Sequence, residues 1–151
     1  MTLPPVGYGY VHPHLAIGSA PPPDARLAKF HTIVFCAEEY QPPHPPHPPD
    51  FPNYIHCPLD DARLPAADIE RAVSTAMQVA SLVRQEMKVL CTCYQGRNRS
   101  ALIACLALVQ MGIPADEAIQ RARRARGSMA LSNEYFVRMI HGLEQLQRSS
   151  L

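Results

Sequence analysis

An α/β fold with a mainly parallel sheet is what this sequence predicts, and three observations carry the prediction. Residues 32–36 (Thr-Ile-Val-Phe-Cys) and 88–92 (Lys-Val-Leu-Cys-Thr) are short β-rich runs, the texture of strands buried on both faces. Segments with helical spacing alternate with these runs, which is the order of β-α-β units. The chain has 151 residues, 47% of them apolar, which suits one domain with a real core and no need of disulfide staples. One domain over residues 1–151 is expected, with a central sheet of about five strands flanked by helices.

Taken in order, residues 8–10 and 14–18 read as two strands joined by a turn at His12-Pro13. Asp24 suits the cap of a short helix through Phe30. The run 32–36 is a buried strand, and 53–57 a weaker one. Asp68 then opens a long helix to about Glu86, with Ile69, Val73, Met77, Ala80 and Val83 at helical spacing. A strand over 88–92, a polar turn over 94–98 and a helix over 99–111 follow. That helix is apolar almost all round, from Ala101 to Val109, so it belongs at the centre of the core. Gly112 sits where a C-terminal cap residue belongs. Helices over 114–126 and 133–147 complete the chain.

Composition excludes several function classes. Formal net charge is +1, from 14 basic and 13 acidic residues, so bulk charge does not point to nucleic acid or an anionic membrane. Any anion site must be local. Residues 1–11 lack a basic cluster and an apolar run, so no secretory signal is expected. No stretch approaches the roughly 20 apolar residues of a membrane span. Five cysteines, Cys36, Cys57, Cys91, Cys93 and Cys105, then read as reduced thiols in a cytoplasmic protein. Cys91 and Cys93 are too close for a zinc pair, and neither metal nor cofactor is expected. Residues 41–52 are dominated by proline and form an extended polyproline II loop: a stiff surface connection or, more sharply read, a docking segment for an aromatic-lined groove. His44 and His47 within it make a poor metal site.

The chemistry concentrates in residues 89–100, Val-Leu-Cys-Thr-Cys-Tyr-Gln-Gly-Arg-Asn-Arg-Ser. A turn between a buried strand and a buried helix aims several backbone N–H groups into one concavity. With the helix dipole these make an anion site. Cys93, at the strand end, sits in the same field, which favours its thiolate. Arg99 adds a planar fork that binds two phosphate oxygens. Gly96 allows backbone angles that a side chain resists. Tyr94, Gln95, Gly96, Arg97, Asn98 and Arg99 together form a phosphate cradle around a nucleophile, the parts needed for a phosphocysteine intermediate.

This string resembles the signature loop of the protein tyrosine phosphatase superfamily, H-C-x2-G-x2-R-[ST], and the short chain resembles its dual-specificity branch. The resemblance covers most of the chain. Residues 14–19 are similar to the family's early Leu-x-x-Gly-Ser strand, 33–38 to its next strand, and 132–136 to the Pro-Asn-x-x-Phe start of its last helix. The resemblance implies metal-independent hydrolysis of phosphate monoesters on a phosphorylated protein. It makes Cys93 the nucleophile, Arg99 the clamp, and Ser100 the hydroxyl that assists the departing sulfur. A general acid is still required. The family's acid is an Asp about thirty residues before the Cys, which here falls on Asp60-Asp61, and the family pattern selects Asp61. Asn133 becomes a supporter of the loop. One departure stands out: Thr92 occupies the place of the family's His. Threonine hydrogen-bonds but carries no charge, so a less favoured thiolate and slower turnover are expected, and a phosphate-binding pseudophosphatase is the rival reading.

The short chain leaves little room for the loop that deepens phosphotyrosine-only clefts. Phosphotyrosine with phosphoserine and phosphothreonine is therefore the expected substrate class. Arg97 inside the loop is the argument for the alternatives, phosphoinositides or RNA 5′-triphosphates, though nucleic acid is not the first choice. The run Arg121, Arg123, Arg124 and Arg126 reads as a solvated helix face, with a second reading in which it flanks the site and favours acidic peptides. The text around Cys36 resembles the strand carrying a resolving cysteine in the superfamily's tumour-suppressor phosphoinositide phosphatase. By that resemblance Cys36 is the candidate redox partner of Cys93. Cys91 is expected on the opposite strand face.

Overall fold

The computed structural model describes residues 7–19, 29–39, 41 and 53–149. The expected helix over 24–30, apart from its last two residues, and the Pro-rich loop with His44 and His47, apart from Gln41, lie outside those residues.

Five strands form one sheet in the order β1-β2-β5-β3-β4: β1 Tyr8–His12, β2 Leu15–Ser19, β3 Thr32–Ala37, β4 Asn53–Leu59 and β5 Val89–Cys93. The pair β1–β2 is antiparallel, and every other neighbouring pair is parallel. Such a sheet must be covered on both faces, and β3 and β5 are accordingly buried along their whole length. Cys91 lies at the centre, paired with Ile17 on one side and Val34 on the other. Because β2, β3, β4 and β5 run the same way, the chain leaves all four at one edge of the sheet. Ser19, Glu39, Asp61 and Cys93 meet there, the edge where open α/β sheets carry their ligand sites.

Four helices follow: α1 Ala66–Arg84, α2 Arg99–Gln110, α3 Ala115–Arg126 and α4 Glu134–Ser149. Their buried apolar side chains join the larger core cluster on one sheet face. The other face carries a smaller cluster around Ala16, Phe30, Ile33, Phe35 and Leu90. Helix α2 has buried residues from Arg99 to Val109, as its unbroken apolar sequence requires. Gly112 terminates it at φ +94°, in the left-handed region that favours glycine.

Three local expectations need correction. Helix α1 begins at Ala66 behind Pro65, whose fixed φ suits a helix start, and Asp68 lies inside the first turn, paired with Arg71. The buried stripe of α1 is Ala72, Thr75, Ala76, Val79, Ala80 and Val83, while Met77 is 59% exposed. Small alanines let α1 approach α2 closely, and this rotates the contact face away from the larger Met77. Cys91 and Cys93, two residues apart on one strand, share a face, and both join the larger cluster. Opposite faces are therefore ruled out.

These packing assignments carry stability consequences. Leu106→Ala, in the middle of α2, should cost about 2–5 kcal/mol in urea unfolding. Met77→Ala should stay within about 0.5 kcal/mol of the parent. A large loss at Met77 would show that the α1 face is assigned wrongly.

Candidate functional site

Cys93 ends β5 and α2 starts at Arg99, so the phosphate-loop candidate is the five-residue turn between them. Its shape is fixed from outside. Arg126 of α3 donates from Nε to Gly96 O and from Nη2 to Gln95 O, both at 3.2 Å. Leu131 N donates to Arg97 O at 2.8 Å. Three successive carbonyls are thus drawn outward. A planar trans peptide then turns the following amides, those of Gly96, Arg97 and Asn98, the opposite way. Among the described residues these amides donate to nothing. They form a concavity of free donors beside the α2 N-terminus, an arrangement suited to an anion. Gly96 is required twice over. Its φ is +68°, and a Cβ there would stand 2.6 Å from the carbonyl carbon of Gly18. The loop therefore rests directly on the backbone at the end of β2.

Within this frame Ser100 Oγ lies 3.2 Å from Cys93 Sγ. Both side chains are buried, yet Cys93 faces a cavity of about 290 Å³ shared with Asp61, Tyr94, Gln95, Arg97 and Arg99. The other thiols are unsuited to attack a phosphate held there, since none of them lines the cavity. Burial pushes Cys36, Cys57 and Cys91 up, and Cys105 to about 12, so all four stay protonated at neutral pH.

Arg99 is buried and held from behind by a residue that sequence reasoning missed. Glu39, in the turn after β3, accepts from Nη1 at 2.5 Å and from Nη2 at 2.9 Å, and Leu59 O takes a further Nη1 bond at 3.3 Å. A guanidinium has five N–H donors. Three are used here, and the Nε edge remains without a protein acceptor among the described residues. That edge can grip two oxygens of a phosphate side-on. The Arg99 fork, with help from a backbone hydrogen bond, holds the Glu39 carboxyl at about 2, below its ordinary 4.5. The same hydrogen bonds raise Arg99 and outweigh the opposing effect of burial.

Asp61 faces Cys93 across the cavity, held by two amides. Asn133 Nδ2 donates to its Oδ1 at 2.9 Å, and Asn98 Nδ2 to its Oδ2 at 3.1 Å. Asn133 N donates in turn to Asn98 Oδ1 at 3.1 Å. Asn133 Oδ1 accepts from Tyr135 N and Phe136 N, which caps α4. One asparagine therefore joins the Asp61 turn, the Cys93 loop and a helix start. Asp60, next to it, is exposed and does not line the cavity.

The remaining expected residues divide. Tyr94, Gln95 and Arg97 lie at the cavity rim, all three exposed. Thr92 is buried with its hydroxyl donating to Val34 O at 3.0 Å, so it pins β5 to β3 and gives nothing to the sulfur. Cys36 lies in the core cluster that contains Cys93. The basic run on α3 is not a solvated face. Arg121 reaches Val11 O, Arg123 reaches Ala130 O and Leu131 O, Arg124 pairs with Glu117, and Arg126 holds the loop. Side-chain-to-backbone bonds of this kind leave no periodic trace in a sequence.

The five-stranded, mostly parallel sheet with its four helices defines the class as an α/β fold, with a strand-end cysteine, a turn of free amides and a buried arginine at the next helix start. More particularly, it has the dual-specificity phosphatase fold. No protein-family model matches the chain, and no curated protein sequence matches it. Solved structures do. A mouse putative dual specificity phosphatase complexed with zinc tungstate is 24% identical, with 99% of this chain and 93% of that chain covered at a TM-score of 0.79. Human DUSP28 is 23% identical, with 97% of each chain covered at 0.74. A mutant form of Tk-PTP is 21% identical, with 95% and 97% covered at 0.79.

The Glu39–Arg99 fork has a pH signature. Its contribution is fully present above the ordinary glutamate value of 4.5 and is lost as pH falls toward about 2. An NMR titration should place the Glu39 midpoint near the lower figure, and Arg99→Lys should move it up toward the ordinary one. A Glu39 midpoint unchanged by Arg99→Lys would show that the fork is not its cause.

Proposed function

We propose that this protein is a cysteine-dependent phosphatase acting on phosphate monoesters of proteins, phosphotyrosine first and phosphoserine or phosphothreonine with it. One observation carries the reading: Cys93, Arg99 and Asp61 line one cavity. In the first step the Cys93 thiolate attacks phosphorus. The equatorial oxygens are held by the loop amides and by Arg99 as the bond to the leaving oxygen breaks. Asp61 gives its proton to that oxygen, and phosphocysteine remains. Each Asp61 oxygen accepts one amide bond, from Asn133 or Asn98, and keeps a second lone-pair site, so the carboxyl can still carry the proton. In the second step water attacks phosphorus, Asp61 takes its proton, and Ser100 donates to the departing Cys93 sulfur. Cys93 and Asp61 each return to their starting state, and inorganic phosphate leaves.

Supporting roles follow from contacts. Glu39, Arg126 and Asn133 are positioning residues for Arg99, the loop and Asp61 respectively. Thr92 supplies no charge beside the sulfur, which supports slow turnover. The five thiols are unpaired, which suits a reducing, cytoplasmic setting. Among the described residues no helix is long and apolar enough to cross a membrane, and no cluster suits a metal. The redox role of Cys36 belongs to the same proposal: oxidation of the Cys93 thiolate by a peroxide to the sulfenic acid, then attack by the Cys36 thiol with loss of water, gives a Cys36–Cys93 disulfide.

Hydrolysis of p-nitrophenyl phosphate in EDTA tests the mechanism. The parent should turn over, Cys93→Ser should be inactive, and Asp61→Asn should lose about 10²–10⁴-fold in kcat, the range of a general acid. An inert parent that still binds vanadate would make the chain a phosphate-binding module instead.

A further inference from the structure

We propose that a groove leading away from the Cys93 cavity binds the acidic flank of a phosphopeptide, with Arg138 and Arg63 pairing to a carboxylate on the substrate. This deepens the phosphatase reading and rests on it.

The groove is built from three cavities that share walls. The first, about 290 Å³, holds Cys93 and meets the second at Asp61, Asn98 and Ser132. The second, about 420 Å³, is lined further by Tyr135 and Arg138. Those two residues also line the third, about 710 Å³, together with Arg63, Pro65, Ile69 and Met139. A chain held by its phosphate at Cys93 therefore has a continuous path across the start of α4 to the start of α1.

The charges along this path single it out. Most described arginines, such as Arg71, Arg84, Arg121 and Arg148, already reach a carbonyl or carboxylate. Arg63, Arg97 and Arg138 have no such acceptor among the described residues, and all three line the path. Arg138 lies 5.8 Å from the ring of Tyr135, which is 46% exposed. The ring gives a flat surface for substrate backbone or side chains.

The acidic groups on the path set the spacing. Asp61 stands between the first two cavities, and Glu134 lines the second. Both repel a carboxylate placed next to the phosphorylated residue. The favourable place for a substrate anion is farther out, at Arg138 and Arg63. The apolar surface of Pro65, Ile69 and Met139 beside them suits a peptide's side chains better than a polyanionic nucleic acid.

The test is kinetic. Phosphotyrosine peptides carrying a single Glu, moved one position at a time along either flank, are compared with p-nitrophenyl phosphate, phosphoinositide vesicles and RNA 5′-triphosphate ends. Both the parent and the exposed-site double variant Arg63→Gln/Arg138→Gln are used. The parent should prefer one distant Glu register by about three- to tenfold in kcat/KM, the scale of exposed ion pairs, expressed in KM. The double variant should lose that preference and keep its rate on p-nitrophenyl phosphate. High salt should also erase the preference. Indifference of the parent to every Glu position, or a preference that survives in the double variant, overturns the proposal. So does a double-variant loss confined to the vesicles or the RNA ends. Fluorescence anisotropy of the same peptides on Cys93→Ser reads the groove without turnover. An inactive parent whose Cys93→Ser form still selects the distant Glu would therefore fail the catalytic reading and leave the groove standing.

Discussion

The site depends on one constraint: a turn whose amide donors must stay free inside a folded protein. Unbonded backbone N–H groups are costly when buried, and a loop left alone would twist to satisfy them. Here the carbonyls of Gln95, Gly96 and Arg97 are taken from outside by Arg126 and Leu131, so the amides cannot turn outward. Contact of Gly96 with the Gly18 backbone closes the remaining freedom. An anion in the concavity satisfies the donors that the fold leaves open. The concavity thus has a chemical preference before any charged side chain is counted.

Charge is then placed around it from separate strand ends. Glu39 follows β3, Asp61 follows β4 and Cys93 ends β5, so parallel strand direction alone brings them together. Glu39 occupies one edge of Arg99 and leaves the other without a protein acceptor among the described residues, which fixes the plane of the guanidinium. Asn133 ties the Asp61 turn to the loop and caps α4, so a displacement of that helix would disturb Asp61 and the loop together.

The scaffold was legible in the sequence where pattern and physics coincide. Helix α2 is apolar on every side, and only a buried helix tolerates that. Cys93, Gly96 and Arg99 sit between a buried strand and that helix, so the roles proposed for them follow from position. Asp61 needed the family resemblance, because an Asp-Asp turn has an ordinary solvated reading. Glu39 was not legible: nothing local links a turn glutamate to an arginine far along the chain. Arg126 was misread for a related reason, since bonds from side chains to backbone carbonyls follow no periodic rule. The α1 face was misjudged because hydrophobic ranking favours Met77, whereas close helix packing favours Ala72, Ala76 and Ala80. Cys91 was within reach of the sequence, because simple strand alternation already puts it on the face of Cys93.

The proposed mechanism turns on Cys93 as a nucleophile seated in an anion cradle. Rapid acid quench of the Asp61→Asn variant during turnover of a phosphopeptide, followed by peptide mass spectrometry, tests it most directly. A phosphoryl group is expected on the peptide that carries Cys93, and none in Cys93→Ser. Turnover with no phosphorylated cysteine, or with the label on another residue, would contradict it.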